Sequence, residues 1–215
     1  MCANYDHLQQ EIASLEAAGA DRFHLDLMDG QFVPNFAMGL EDIRCVCRHA
    51  HIPTELHLMI CRPGQYIDSF ARAGVDLIYI HPESDRHPAT VLQKIVEAGI
   101  EPGIVLSPGT SIESVTELLR IVEHVMIMGV NPGHAGQIYL PYIDQKIERL
   151  LRLKPRLGLE LSIDGACSAQ RIVEWSEKGV DGFVLGTAAL FGKPGSYEEI
   201  FASLRDAVGG GGGTG

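Results

Sequence analysis

The sequence predicts an α/β fold built on a parallel sheet, and a repeated local pattern carries that prediction. A segment rich in Ala, Leu and Glu with helical spacing comes first, then a Gly, then a short apolar run of strand length. "LQQEIASLEAAGADRFHLDL" shows it first: Leu8, Ile12 and Leu15 share a helical face, Gly19 is placed as a C-cap, and a strand follows Asp21. The pattern returns with Gly74 in "YIDSFARAGVDLIYIH", Gly99 in "VLQKIVEAGIEPGIVLS" and Gly179 in "RIVEWSEKGVDGFVLG". "TELHLMI", "HVMIMGV" and "LELSIDG" read as further strands. Helices alternating with such strands indicate parallel pairing through crossover connections. Strand ends are expected near residues 27, 59, 80, 106, 129, 164 and 185, and no composition break marks a second domain. One domain over 1–208 follows, with the Gly-rich 209–215 as a flexible tail. Closed (β/α) barrels need eight strands and normally open with one. This chain shows seven and opens with a helix.

Composition sets outer bounds. The 215 residues are enough for one large core, and 46% hydrophobic with 7% aromatic is an ordinary globular balance. A net charge of −11 with scattered Lys and Arg argues against a nucleic-acid surface. It leaves room for a phosphate ligand, which backbone N–H groups can bind without basic side chains. The five cysteines (Cys2, Cys45, Cys47, Cys61, Cys167) are odd in number and form no C-x-x-C pair. They read as reduced thiols, which together with the absence of a visible signal peptide points to a cytoplasmic protein. No apolar run approaches the ~18 residues of a membrane span.

Catalytic groups of such barrels sit at the C-terminal ends of the strands. Those ends carry His24 and Asp26, His57, His81, Asn131, Asp164, and Gly186 with Thr187. In "HLDLMDG" the strand alternation puts His24, Asp26 and Met28 on one face, with Leu25 and Leu27 on the other. Two His and two carboxylates from three strands, facing one mouth, make a ligand set for a divalent metal. Each alone has a plainer explanation: H-x-D is usually structural, His57 could simply line the barrel, and Asp164 could cap the next helix. Their joint placement is what favours a metal site. His81 reads as a residue behind that site, or as packing. Two loops add an anion site. "NPGHAGQ" (131–137) and "GTAALFG" (186–192) have small residues that let the backbone approach a phosphate, the second being expected to open a short helix. Neither is a Walker or Rossmann pattern.

Absences narrow the chemistry. Lys94, Lys146, Lys154, Lys178 and Lys193 all fall on expected helices or outer loops, which argues against a Schiff-base lysine in the mouth. No cysteine pairs with a strand-end histidine, so a thiol nucleophile is disfavoured.

These residues resemble the ribulose-phosphate 3-epimerase family over Cys2 to about Phe191, through "HLDLMDGQFVPN", "ELHLMI", "VLSPGT", "IMGVNPGHAGQ", "SIDGACS" and "VLGTAALFG". "IHPE", "DGAC", "GTAALF" and Ala135 look more similar to the allulose-6-phosphate 3-epimerase branch, while His134 departs from both, where a Phe is usual. The resemblance implies a (β/α)8 TIM barrel that inverts C3 of a ketose phosphate, with one divalent metal per chain, usually zinc, with Fe2+, Mn2+ or Co2+ as alternatives. It implies His24, Asp26, His57 and Asp164 as ligands, and Asp26 and Asp164 as the acid–base pair. Met28, Met59 and Met128 would line the cavity with His57. Gly133, His134, Ala135, Gly136, Gly165, Gly186 and Thr187 would hold the substrate and its phosphate. It also implies a small phosphorylated ketose as partner, no nucleic acid or membrane, and a homo-oligomer. Two rivals stand beside it: another phospho-sugar enzyme on the same barrel, and a non-catalytic sugar-phosphate-binding paralogue.

The family's first strand precedes the segment matching "MCANYDHL", where Met1 stands here. The expectation is therefore seven parallel strands with an open seam between those ending at Leu27 and Leu185. Roughly ten further upstream residues would supply the missing strand.

Overall fold

The computed structural model describes residues 1–210. Seven strands run parallel: β1 (Phe23–Asp29), β3 (Thr54–Met59), β4 (Leu77–Ile80), β5 (Glu101–Leu106), β6 (His124–Met128), β7 (Glu160–Asp164) and β8 (Gly182–Phe183). They pair in chain order, so the sheet curls as a barrel wall. An eighth strand that the periodicity did not show, β2 (Phe36–Ala37), lies antiparallel on the other edge of β1. It arises because the chain doubles back after Asp29. Asp29 Oδ1 accepts from Gln31 N–H and Phe32 N–H, each at 2.8 Å, and Gly30 N–H donates to Asn35 O at 2.9 Å. Gly30 has φ +70°, and a Cβ there would lie 2.3 Å from the Phe36 ring, so this reversal requires glycine. β2 covers only Met28 and Asp29, at the mouth end of β1.

The helices are α1 (Leu8–Ala17), α2 (Leu40–His49), α3 (Ile67–Ala71), α4 (Pro88–Glu97), α5 (Asp144–Leu157), α6 (Ala169–Glu177) and α7 (Tyr197–Gly210). Gly19, Gly74, Gly99 and Gly179 all take the left-handed conformation just past a helix, where a side chain would be strained. Gly209 and Gly210, expected in the tail, instead form the last residues of α7, and the rest of that tail lies outside the described residues.

Strand alternation divides the core into two layers. Leu56, Leu58, Ile78, Ile80, Ile104, Leu106, Val125, Ile127, Leu161 and Ile163 point outward, and pack with Ile43, Ile95, Ile147 and Trp175 of the helices. Leu77, Tyr79, Val105, Met126 and Met128 point inward and fill the barrel. The outer ring is closed, whereas the inner ring is not. α1 meets α7 through Tyr197 Oη–H donating to Glu11 Oε2 at 2.8 Å, and through Arg205 donating to Gly19 O. Beneath them, no described strand joins β1 to β8. β8 is correspondingly short, pairing only at Ser162↔Gly182 and Ile163↔Phe183, so it ends before Leu185. A cavity of about 1020 Å³ runs from the mouth into this gap, lined by β1, β8, α1 and α7.

Candidate active site

Register assembles the mouth. β1 and β3 pair so that His24 stands beside Glu55, Asp26 beside His57 and Met28 beside Met59, while β6 sets Met128 beside Asp164. Curling then brings β7 across to β1. His24 Nε2 lies 3.3 Å from Asp26 Oδ1 and 4.0 Å from Asp164 Oδ2. His57 Nδ1 lies 3.3 Å from Asp26 Oδ1 and 3.6 Å from Asp164 Oδ2. One ligand atom from each of the four residues falls within 4.8 Å of the others.

These residues fit a metal. Ligands at ~2.0–2.2 Å from one ion stand roughly 3–4 Å from each other, as the four nitrogen–oxygen distances here do. The two imidazole nitrogens aimed at the common point, His24 Nε2 and His57 Nδ1, are buried and have no hydrogen-bond partner. An unpartnered buried nitrogen is costly, and a ligating ion would satisfy both.

The far sides of both rings are engaged. His24 Nδ1 bonds Glu55 Oε1 at 2.7 Å, and Arg22 stands 3.8 Å from the other Glu55 oxygen. His57 Nε2 lies 2.9 Å from His81 Nε2. Sequence reasoning misses Glu55. Its signal is the same alternation that singles out His57, two residues on, but only the β1–β3 register places it behind His24. Burial opposes charging His24, yet the Asp26 and Glu55 carboxylates outweigh it and hold its pKa well above the usual imidazole value. Burial also opposes ionising Asp26, but His24 and His57 overcome it and hold this carboxyl well below its usual range. Asp164 is pushed upward by burial, with the nearby Asp26 charge adding to the effect and the histidines opposing it. Two carboxyls at one site thus have their affinities for protons driven apart, a common property of acid–base pairs.

Met28, Met59 and Met128 line the cavity, each at most 4% exposed. Gly133, His134, Ala135, Gly136, Gly165, Gly186 and Thr187 line it too, whereas His57 is fully buried behind Asp26. Gly133 and Gly136 have positive φ, and Gln137 Nε2–H ties the loop by donating to Asn131 O at 2.6 Å and His134 O at 2.9 Å. The expected short helix after Gly186 is not formed. The N–H groups of Ala189, Leu190 and Phe191 all converge on Gly186 O, which makes a tight turn instead. Lys146 lies on a helix, as expected: from α5 its ammonium donates to Ser107 O at 2.7 Å and Pro108 O at 2.9 Å, just past the end of β5. Those carbonyls occupy it, and it does not line the cavity. All five cysteines are free, and no described helix is long and apolar enough to cross a membrane.

One glycine keeps Asp164 in place. Gly129 N–H donates to Asp164 O at 2.6 Å, and a Cβ on Gly129 would lie 2.4 Å from Gly165 O. Gly129→Ala is expected to cost about 1–3 kcal/mol or more, because backbone must move on both sides. A melting temperature unchanged from the parent would contradict this packing.

Likeness to known proteins agrees with the site. The solved structure of KGPDC from Streptococcus mutans superposes with a TM-score of 0.69 at 12% identity, covering 95% of this chain and 94% of that one. The tryptophan synthase alpha-subunit of Pyrococcus furiosus gives 0.64 at 16% identity, covering 94% and 91%. At such identities these share the fold alone. Sequence relatives are nearer. Ribulose-phosphate 3-epimerase of Helicobacter pylori is 38% identical over 189 residues, 87% of this chain and 86% of its own. That of Treponema pallidum is 34% identical over 194 residues, 89% of each. The profile described as the ribulose-phosphate 3 epimerase family matches residues 1–191, and with it the strands and loops that build the mouth. This chain is a member of the ribulose-phosphate 3-epimerase family.

Proposed function

We propose that the protein inverts C3 of a ketose phosphate, with Asp26 and Asp164 as the two proton carriers and a divalent ion, zinc foremost, held by His24, Asp26, His57 and Asp164. The observation that carries this reading is the pair of unpartnered imidazole nitrogens, His24 Nε2 and His57 Nδ1, converging with two carboxylates on one point. Two nitrogen and two oxygen donors suit zinc, and also Fe2+, Mn2+ or Co2+. When bound, the ion stabilises negative charge developing on the substrate oxygens next to the reacting carbon, worth several kcal/mol of barrier. Asp26 and Asp164 come from β1 and β7, on opposite sides of the mouth. One carboxylate takes the C3 proton as the C–H pair forms a C2=C3 double bond and the C2=O π pair moves onto the C2 oxygen. The other carboxyl then delivers a proton to the opposite face of C3 as the C2 carbonyl reforms. Met28, Met59 and Met128 shield this step with apolar surface that offers no competing proton. The small-residue loops at 133–136 and 186–187 take the phosphate on backbone N–H groups.

Ribulose 5-phosphate and allulose 6-phosphate are the substrates to test, the first because of the names the relatives carry. NMR of each sugar with metal-loaded protein is expected to show a new C3 epimer for at least one of them. No inversion of either sugar would leave the second reading, a non-catalytic sugar-phosphate-binding protein. That reading is favoured by the gap between β1 and β8, which opens the cavity wall. Exposed Phe36 of β2, with Ile138 and Tyr142 of the segment after β6, supports a homo-oligomer as part of the proposal.

A further inference from the structure

We propose that His81 is a positioning residue: it accepts the Nε2 proton of His57 and so fixes the tautomer in which His57 presents a bare Nδ1 to the metal site. This rests on the metal-site reading above. His57 and His81 are both 0% exposed, with rings 5.0 Å apart at 29° and facing nitrogens 2.9 Å apart. Two imidazoles in that geometry share one proton, and which ring owns it decides what His57 can do. If His81 donates, the His57 proton moves to Nδ1 and points at the Asp26 and Asp164 carboxylates, where it blocks ligation. If His57 donates, Nδ1 keeps its lone pair.

The choice is made on the other side of His81. Its Nδ1 faces Ser107 Oγ at 3.0 Å and Glu83 Oε1 at 3.6 Å. Glu83, as a carboxylate, can only accept, and it also takes a hydrogen bond from Thr110 Oγ1–H at 3.0 Å. With the Ser107 hydroxyl donating to Glu83, both oxygens that face His81 Nδ1 accept, so a proton on Nδ1 satisfies that end and leaves Nε2 of His81 as the acceptor and His57 as the donor. Lys146 holds the loop that carries Ser107 by bonding Ser107 O and Pro108 O. The chain Glu83, Ser107, His81, His57 does for one ligand what Glu55 does for His24 on the other. Such partners behind ligating histidines set the tautomer and the ring orientation. Without an acceptor, His57 Nε2–H would be buried and unsatisfied.

Zinc affinity measured by chelator competition, on folded protein checked by melting temperature, tests this with three variants. H81L is expected to weaken zinc about 10–100-fold. H81Q, whose amide oxygen can accept from His57, is expected to recover most of that loss, which a merely space-filling role would not produce. H57A controls the underlying reading. Zinc bound as tightly by H57A as by the parent would overturn the metal site and the relay with it. H57A weakened with H81L unchanged, or H81Q as weak as H81L, would overturn the relay alone. Should H81L fail to fold, long-range 1H–15N spectra of the zinc-loaded parent decide the matter. Protons on His57 Nε2 and His81 Nδ1 are expected, and a proton on His81 Nε2 would overturn the proposal.

Discussion

Asp164→Asn is expected to lower kcat for C3 inversion by a factor on the order of 10²–10⁴, the usual worth of one positioned acid or base. It should still allow exchange of the C3 hydrogen with solvent deuterium, starting from the epimer whose C3–H faces Asp26. Asp26→Asn should show the converse, exchanging only the other epimer. The asymmetry follows from the geometry: the two carboxylates come from β1 and β7 across the mouth, so each reaches one face of a bound sugar. Both residues are also proposed ligands, so bound metal has to be measured in each variant before rates are compared. Epimerisation at the parental rate in either metal-loaded variant would rule out the two-carboxylate scheme. Inversion by a single group would then be required.

Chelation is expected to remove activity by at least about 10²-fold, since several kcal/mol of charge stabilisation are lost at ~1.4 kcal/mol per tenfold. Added Zn2+ should restore it, with Fe2+, Mn2+ or Co2+ as partial substitutes. The reading depends on the two buried imidazole nitrogens having no partner within the protein. Chelation should therefore lower the melting temperature as well as the rate, because those nitrogens would again be unsatisfied in the fold. Protein shown to be free of metal by elemental analysis, yet fully active, would sink the metal proposal. A metal-independent enzyme on the same barrel would take its place.

Several features were legible without coordinates because they depend on neighbours in the chain. The period of two along "HLDLMDG" placed His24, Asp26 and Met28 on one face, and the structure turns that face inward. Gly19, Gly74, Gly99 and Gly179 were readable because a left-handed residue ends each of those four helices whatever lies around it. Seven parallel strands followed from seven short apolar runs divided by helical ones, whereas the gap between the first and the last was expected through the resemblance to the family, whose first strand precedes Met1.

Other features were decided only by the tertiary structure, because they depend on which residues meet across strands. Glu55 matters only through the register that sets it beside His24. Strand β2 exists because Asp29 gathers the N–H groups that reverse the chain, and a two-residue strand has too few positions to show a period. The loop after Gly186 has helix-forming residues, yet three of its N–H groups share one carbonyl in a turn against the sheet edge. Gly209 and Gly210 read as tail from composition, but they continue the helix that Tyr197 and Arg205 anchor on α1. Local spacing tells which face a side chain takes. Register and closure decide what it faces, since hydrogen-bond pairing between strands and contacts between helices set distances that no spacing along the chain contains.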